Sequence, residues 1–202
     1  MKYFVTAIGT DSGKTVISAI LCTALRAAYW KPVQAGFPTD SEMVRNLAGS
    51  DLTIFPERYL LKTPASPHAA AKAEGINIEL NDFILPPVKK RLIIEGAGGC
   101  LVPLNDKHFV IDLAVRFATE VILVSNLYLG SINHTLLTYE AIKARGLSIK
   151  GIIFNGIENP ESKRIILHHT SLPCLLDVKQ EALIDNTVVK RYAELLKSKW
   201  NG

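Results

Sequence analysis

Short apolar runs alternate along this chain with longer segments in which apolar residues recur at helical spacing. The short runs contain many β-branched residues and end near glycine or proline, which predicts buried strands of a parallel sheet. The longer segments predict amphipathic helices that cover the sheet. Strands are predicted at residues 3–8, 28–33, 91–95, 120–125, 149–155 and 173–176, and helices at 15–25, within 37–50, after 68, from 131 and at 188–200.

This alternation predicts a single α/β domain over residues 1–202, with a mostly parallel sheet covered by helices on both faces. A chain of 202 residues with 48% hydrophobic composition is long enough to bury one sizeable core. No internal repeat or low-complexity segment interrupts the pattern. We therefore expect one domain rather than two.

The charge and hydropathy of the chain argue against two classes of partner. The formal net charge is +4, and the basic residues are scattered apart from the run at 89–91 and the pair Lys197 and Lys199, which we interpret as solvated surface. No window approaches the roughly eighteen apolar residues of a membrane span, and the N-terminus lacks a secretion signal. We expect no nucleic-acid partner, no membrane partner and a cytoplasmic location.

The cysteines give no sign of a cross-linked or zinc-binding protein. Cys22, Cys100 and Cys174 are odd in number and widely spaced, and no C-x-x-C pair occurs. Neither a disulfide framework nor a zinc site is therefore indicated. We expect these side chains to be reduced, buried thiols.

The first predicted strand is followed by a glycine- and hydroxyl-rich turn and then a helix, the context of a phosphate-binding loop. The common pattern G-x-x-x-x-G-K-[ST] would place its first glycine at position 8, where this chain has Ile8, and Gly9 comes one place late. Backbone N–H groups of such a loop point at one concavity, Lys14 can reach the β- and γ-phosphates, and the Thr15 hydroxyl can ligate Mg²⁺. The segment predicts a Mg-nucleotide site and a P-loop NTPase-like fold; an ordinary strand–turn–helix is the alternative.

Two charged residues stand at the ends of predicted strands. Lys31 ends the second, and Glu95 ends an apolar run that continues into Gly96, Ala97 and Gly98. Ligands collect at the carboxyl ends of strands in open α/β sheets, so both side chains are expected to face the P-loop crevice. A solvated lysine at a sheet edge and a glutamate placed there by accident are the alternatives.

Three further positions have both a structural and a functional interpretation. Asp40 is placed to be the N-cap of a helix or a ligand of a metal or its waters. Residues 130–133 begin a predicted helix, and their side chains are suited to simple helix capping. The N–H groups of this segment also suit a carboxylate or phosphate. Asn155, followed by Gly156, ends a strand with an amide that can donate to and accept from a base edge.

Five motifs in this order together resemble the dethiobiotin synthetase family over nearly the whole chain. They are the deviant P-loop, Lys31-Pro32-Val33-Gln34-x-Gly36, Ser66-Pro67-His68, Glu95-Gly96-Ala97-Gly98-Gly99 with Val102-Pro103-Leu104, and Gly130-Ser131-Ile132-Asn133-His134. The resemblance implies an ATP-dependent cyclo-ligase that joins CO₂ to 7,8-diaminononanoate and closes a cyclic urea. It also implies Mg²⁺, ATP as co-substrate, and a homodimer with the diamine near the interface.

The resemblance also implies roles for individual residues. Lys31 and Lys14 match the catalytic lysines, with Lys31 at the reacting carbamate, and Thr15, Asp40 and Glu95 match the magnesium-associated trio. The remaining matches fall into two sets. Nucleotide-binding positions are Asp11, Ser12, Gly13, Lys14, Thr15, Val16, Asp40, Glu95, Gly96, Ala97, Gly98, Asn155 (at the adenine) and Gly156, and substrate positions are Ala35, Gly130, Ser131, Ile132 and Asn133.

The chain departs from the family at two places, and two other classes of P-loop protein fit it less well. Ala35 stands where many members carry Ser or Thr, and residues 177–179 replace a more usual Ile-Pro near the base. A ParA/MinD-like ATPase would carry a signature lysine where this chain has Gly9. A cobyrinate-type synthetase would bring a glutaminase domain, for which the chain has no room. A non-catalytic nucleotide-binding protein is the remaining alternative.

Overall fold

The computed structural model describes residues 1–89 and 91–200, so Lys90 of the predicted basic run, Asn201 and Gly202 lie outside the described residues. Each predicted strand and helix has a counterpart, whereas the strands at 54–55 and 59–61 and the helices at 112–116 and 160–170 were not predicted. The strands are β1 (Lys2–Ala7), β2 (Ala28–Trp30), β3 (Val33–Ala35), β4 (Ile54–Phe55), β5 (Tyr59–Leu61), β6 (Leu92–Gly99), β7 (Glu120–Asn126), β8 (Ile149–Gly156) and β9 (Cys174–Lys179). The helices are α1 (Lys14–Leu25), α2 (Asp40–Ala48), α3 (Pro67–Ala73), α4 (Asp112–Arg116), α5 (Ser131–Lys143), α6 (Pro160–Thr170) and α7 (Asn186–Trp200).

The main sheet has the strand order β4-β2-β6-β1-β7-β8-β9, and its strand pairs are parallel. Val5 of β1 pairs with Glu95 of β6 on one side and with Ile122 of β7 on the other. The carboxyl ends of β1, β2 and β6 therefore lie side by side at one edge of the sheet. The predicted α/β class with a parallel sheet is confirmed.

Side chains of successive residues in each strand point to opposite faces, and both faces are covered. On one face, Val5 and Tyr29 lie in a core with apolar residues of α1, α2 and α7. On the other, Phe4 and Trp30 lie in a core with residues of α3, α4, α5 and α6. Burial on both faces explains why these strands are continuously apolar rather than alternating.

The predicted strand at 28–33 is in fact two strands in two sheets. β2 ends at Trp30 and β3 begins at Val33, pairing with β5 in a separate two-stranded parallel sheet. Pro32 has no N–H to continue the main ladder, and its carbonyl instead accepts from the N–H groups of Arg58 and Tyr59 at 2.9 and 3.1 Å. The strand after Pro32 therefore continues to Ala35, two residues beyond the predicted end at 33.

The three cysteines are free thiols; Cys22 and Cys100 are buried and Cys174 is half-buried. The expectation of buried thiols is therefore confirmed for two of the three. Across residues 1–89 and 91–200, none of the helices combines the length and the apolar character that crossing a bilayer would require.

Candidate active site

The loop between β1 and α1 has the backbone geometry of a phosphate cradle. Asp11 and Gly13 have left-handed φ values of 56° and 88°. Gly13 is the N-cap of α1, and within the described part of the chain no side chain caps that helix. The N–H groups of its first turn therefore face the loop, where they suit an anion. A Cβ on Gly13 would lie 2.2 Å from Nδ2 of Asn155, so only glycine fits.

Lys14 lies folded along this loop. Its Nζ donates to the carbonyl of Gly9 at 3.0 Å, and its side chain is buried. Burial lowers the pKa of Lys14 to about 8, and the positive charge of Lys31 is the second cause. The charges of Glu95 and Asp40 act in the opposite direction. A lysine with this pKa is strongly desolvated, and its charge is most effective beside an anion.

A buried acid–base cluster lies where β2 ends and beside the middle of β6. Lys31 Nζ is 3.1 Å from Glu95 Oε1 and 2.5 Å from Asp40 Oδ2, and it also donates to the Gly96 carbonyl at 3.2 Å. Thr15 Oγ1 donates to the same Glu95 oxygen at 3.1 Å. Lys31 is only 3% exposed and Glu95 is 0% exposed, so the alternative of a solvated edge lysine is wrong.

The charges in this cluster stabilise one another. Burial lowers the pKa of Lys31, but the charges of Glu95 and Asp40 more than offset it, so the net shift is upward. Burial raises the pKa of Asp40, but the charge and hydrogen bond of Lys31, with hydrogen bonds to Glu95 and Thr15, together lower it by more. Lys31 is therefore protonated and Asp40 ionised at neutral pH, which concentrates fixed charge beside the P-loop.

The second oxygen of Glu95 has a partner that sequence reasoning missed. The hydroxyl of Tyr29 donates to Glu95 Oε2 at 3.0 Å, and both residues are 0% exposed. Burial and the nearby carboxylates raise the pKa of Tyr29 well above its usual value, so the phenol keeps its proton. A tyrosine in an apolar strand is typical of a core residue, and only the fold shows where its hydroxyl points.

Asp40 is the first residue of α2 and not its N-cap, so the capping interpretation was wrong. Thr39 is the N-cap, and it forms a capping box with Glu42 in which each side chain accepts from the other residue's N–H at 3.2 Å. The N–H of Asp40 donates to Gln34 Oε1 at 3.1 Å. The Asp40 carboxylate is left to face Lys31.

A cavity of about 750 Å³ opens over the P-loop and this cluster. β3, the 64–67 turn and the start of α2 form its far wall, and Gly36 packs so closely on Pro64 that a Cβ would lie 2.9 Å from it. The predicted site residues that line the cavity are Asp11, Gly13, Lys14, Thr15, Val16, Lys31, Ala35, Asp40, Glu95, Ala97 and Gly98.

Other predicted residues support the cavity without lining it. Ser12 is buried, with its Oγ 3.2 Å from the Gly9 carbonyl, and its own carbonyl accepts from Asn155 Nδ2 at 3.0 Å. Gly96 is buried within β6, where a Cβ would lie 3.0 Å from Val110. Gly156 follows Asn155 with a left-handed φ of 99°. Asn155 thus lies directly behind the phosphate loop.

The segment 130–133 does not reach this cavity within one chain. Gly130 is the N-cap of α5, and Ser131 is buried with a hydroxyl that has no hydrogen-bond partner within residues 1–89 and 91–200. The following turn of α5 lines a second, mainly apolar cavity of about 360 Å³ with Gly9, Thr10 and Leu101. Within one chain, residues 130–133 therefore do not share a cavity with the predicted residues around the P-loop.

The residues beside Lys31 fit a magnesium ion held together with phosphates. Thr15, Asp40 and Glu95 supply a hydroxyl and two carboxylates, the hard oxygen ligands that Mg²⁺ prefers. In the described parts of the chain, no cluster of three or more His, Cys, Asp and Glu side chains is arranged to hold a metal. A site of this kind suits Mg²⁺, which is usually bound by few protein groups plus phosphate oxygens and water.

Solved structures share this fold at low sequence identity. A ParA family ATPase from Chlorobium tepidum matches with a TM-score of 0.62 and 12% identity, covering 98% of this chain and 95% of that one. The septum site-determining protein MinD of Pyrococcus horikoshii, complexed with Mg-ADP, matches with a TM-score of 0.55 and 15% identity over 98% and 90% of the two chains. At these identities the likeness shows the fold alone.

Sequence relatives are far more similar. A family model described as an AAA domain matches residues 1–188. The ATP-dependent dethiobiotin synthetase BioD of Cytophaga hutchinsonii is 57% identical over 98% of this chain and 98% of its own length. The protein of the same name from Christiangramia forsetii is 47% identical over 96% and 94%. The resemblance seen in the motifs is confirmed, and the chain belongs to the ATP-dependent dethiobiotin synthetase family.

Proposed function

We propose that this protein is an ATP-dependent cyclo-ligase that makes dethiobiotin from 7,8-diaminononanoate, CO₂ and ATP, and that it acts in the cytoplasm. Relatives at 57% and 47% identity carry the name dethiobiotin synthetase. One observation supports this chemistry above the others: the buried Lys31 ammonium lies between two carboxylates at the mouth of the P-loop cavity. A positive charge there would face both the γ-phosphate and an anionic acceptor.

The proposed reaction has three steps. One amine of the substrate attacks CO₂ and loses a proton, which gives a carbamate. A carbamate cannot expel its oxygen as hydroxide at neutral pH, so that oxygen is first phosphorylated. It attacks the γ-phosphorus of ATP, and ADP leaves. The second amine attacks the carbonyl carbon of the resulting carbamic–phosphoric anhydride, phosphate leaves with the C–O bonding pair, and a proton is lost as the cyclic urea forms.

The residues of the cavity suit these steps. The first-turn N–H groups of α1 and the Lys14 ammonium would hold the β- and γ-phosphates, and Lys31 would stabilise the carbamate and the transferring phosphoryl group. Thr15, Asp40 and Glu95 would hold Mg²⁺, which neutralises charge on the phosphates when bound. Phosphoryl transfer depends mainly on positioning and electrostatic stabilisation, which these groups provide.

The second group of predicted residues would act on the substrate tail across a homodimer. The segment 130–133 does not line the P-loop cavity of its own chain. Around it, Tyr128, Leu129 and Leu137 are 44%, 103% and 60% exposed, and Leu101 beside the second cavity is 48% exposed. Grouped exposed apolar residues favour a protein–protein contact, so we propose that two copies meet here with the diamine between them.

Incubation with diaminononanoate, bicarbonate and Mg-ATP tests the proposal directly. We expect dethiobiotin by mass spectrometry, with one phosphate released per product molecule. A non-catalytic or ParA/MinD-like ATPase would bind ATP but release phosphate at a rate that the diamine does not change. Equal phosphate release with and without the diamine, and no dethiobiotin, would contradict the proposal.

A further inference from the structure

The two oxygens of the Glu95 carboxylate have different partners. Oε1 faces the site and accepts from Thr15 Oγ1 and Lys31 Nζ, both at 3.1 Å. Oε2 points into the core and accepts from the Tyr29 hydroxyl at 3.0 Å. Within residues 1–89 and 91–200, the hydrogen bond to Oε2 comes from the Tyr29 hydroxyl. The orientation of the carboxylate therefore depends on a hydroxyl that does not line the cavity.

The surrounding packing gives Tyr29 little freedom. It lies on β2, where it pairs with Ile93 of β6 and Ile54 of β4, and its side chain is 0% exposed. Glu95 lies two residues after Ile93 on the neighbouring strand. Interiors are packed as densely as organic crystals, so the hydroxyl is held at one position relative to the carboxylate.

Loss of this hydroxyl would leave a buried oxygen of an ionised group without a donor. A hydrogen bond to a charged group contributes more than a neutral one, and an unsatisfied buried acceptor has a substantial cost. The Glu95 carboxylate would respond by turning toward the donors that remain, Thr15 and Lys31. That turn changes the direction of Oε1, the oxygen that faces the proposed magnesium position.

We propose that Tyr29 is a positioning residue that acts through Glu95, holding its carboxylate in the orientation that binds Mg²⁺ together with the nucleotide. The inference rests on the proposed function, because it takes Glu95 as a ligand of the metal or of its waters. It goes further by assigning a role to a core tyrosine that touches neither substrate nor nucleotide. Tyr29 would set the affinity for the metal rather than for the phosphates.

The test compares nucleotide binding with and without metal. A non-hydrolysable ATP analogue with an imido bridge between its β- and γ-phosphates is titrated into the wild type and Tyr29→Phe by calorimetry, in Mg²⁺ and in EDTA. Tyr29→Phe removes a single oxygen and keeps the ring. We expect the EDTA affinity to stay within about twofold, and the strengthening by Mg²⁺ to fall about fivefold to tenfold. Equal strengthening in both proteins would overturn the inference.

Tyr3→Phe is the matched control. Tyr3 is buried in the same core, at 3% exposure, but it lies at the amino end of β1, the end away from the phosphate loop, and its hydroxyl is 3.4 Å from Met1 Sδ. The Tyr3→Phe variant should lose some thermal stability, and Mg²⁺ should strengthen its nucleotide binding as much as in the wild type. If Tyr29→Phe loses affinity equally with Mg²⁺ and with EDTA, the hydroxyl supports the phosphate loop instead and the inference is wrong.

A double-mutant cycle and a wild-type measurement complete the test. In a Glu95→Gln background, adding Tyr29→Phe should not reduce the effect of Mg²⁺ further, because both changes act on one group. In wild-type protein with ¹³Cζ-labelled tyrosine, Mg²⁺ added to the nucleotide complex should shift the Tyr29 signal and leave that of Tyr3 in place. An unmoved Tyr29 signal would contradict the proposal even if the variant did not fold. If Mg²⁺ fails to strengthen nucleotide binding in the wild type, the proposed metal site itself fails.

Discussion

Nδ2 of Asn155 donates a hydrogen bond to the carbonyl of Ser12 at 3.0 Å, which ties the end of β8 to the phosphate loop. The family resemblance assigns Asn155 to the adenine, and this contact adds a second task. We expect Asn155→Ala to weaken binding of inorganic pyrophosphate, which has no base, by about threefold to tenfold, the effect of one net hydrogen bond. Competition of pyrophosphate with a fluorescent nucleotide measures it. Unchanged pyrophosphate binding with weaker ATP binding would restrict Asn155 to the base.

Thr15→Val should abolish productive use of Mg-ATP and leave the fold intact. The side chain keeps its shape and loses the hydroxyl that now donates to Glu95 and would ligate Mg²⁺. Thr23→Val is the control on the same helix, because its hydroxyl donates only to the Ala19 carbonyl one turn earlier. Dethiobiotin formation at several Mg²⁺ concentrations, with thermal unfolding of both variants, checks the prediction. Full turnover of Thr15→Val at ordinary Mg²⁺ would remove Thr15 from the proposed metal site.

Lys31→Gln should lower kcat by roughly 10²–10³, the typical effect of deleting one preorganised electrostatic group. Nucleotide affinity should change much less, because the P-loop backbone, Lys14 and Mg²⁺ remain to hold the phosphates. Steady-state kinetics and analogue binding separate the two quantities. Lys197→Gln provides the control, since Lys197 pairs with Glu194 at 2.5 Å on the surface of α7 and does not line the cavity.

A different result for Lys31→Gln would have a clear meaning. Lost nucleotide binding with a normal kcat at saturation would make Lys31 a ground-state ligand of the phosphates. The variant should also unfold more easily, because the neighbouring carboxyl groups of Glu95 and Asp40 would lose the cation that compensates them. Adding Mg-nucleotide, which binds only the folded state, should recover part of that loss in a thermal scan.

The substrate carboxylate should bind at the start of α5, where Ser131 has a buried hydroxyl without a described partner. Replacing this carboxylate by a neutral amide should raise KM by the equivalent of about 1–3 kcal/mol, the contribution of a lost charge-assisted contact. kcat should change less, because the tail lies far from the reacting amines. The natural substrate assayed in parallel is the control. An unchanged KM would mean that the tail is held elsewhere.

The sequence predicted the parts of the site that depend on local order. A strand, a glycine-rich turn and a helix in succession place Lys14 and Thr15 on a phosphate loop wherever the rest of the chain goes. The rule that ligands collect at strand ends brought Lys31 and Glu95 to the same crevice, and their 3.1 Å contact agrees with it.

Features that depend on distant partners could not be predicted in the same way. The hydroxyl of Tyr29 meets a residue 66 positions away, and nothing in an apolar run indicates that one of its members makes a polar contact. The division of 28–33 into β2 and β3 depends on β5, which supplies the N–H groups for the Pro32 carbonyl. Thr39 rather than Asp40 caps α2, because Glu42 lies three residues after Thr39 and completes a capping box with it.

β1 is synthesised before β6 and β7, but it lies between them in the sheet, and they begin only at Leu92 and Glu120. A growing chain therefore carries the complete phosphate-loop sequence long before either neighbouring strand has been made. Thr15 and Glu95 are 80 positions apart and Ser12 and Asn155 are 143, and such contacts form only after the entropy of closing long loops has been overcome. The phosphate loop thus has all of these contacts only after β8 has been synthesised.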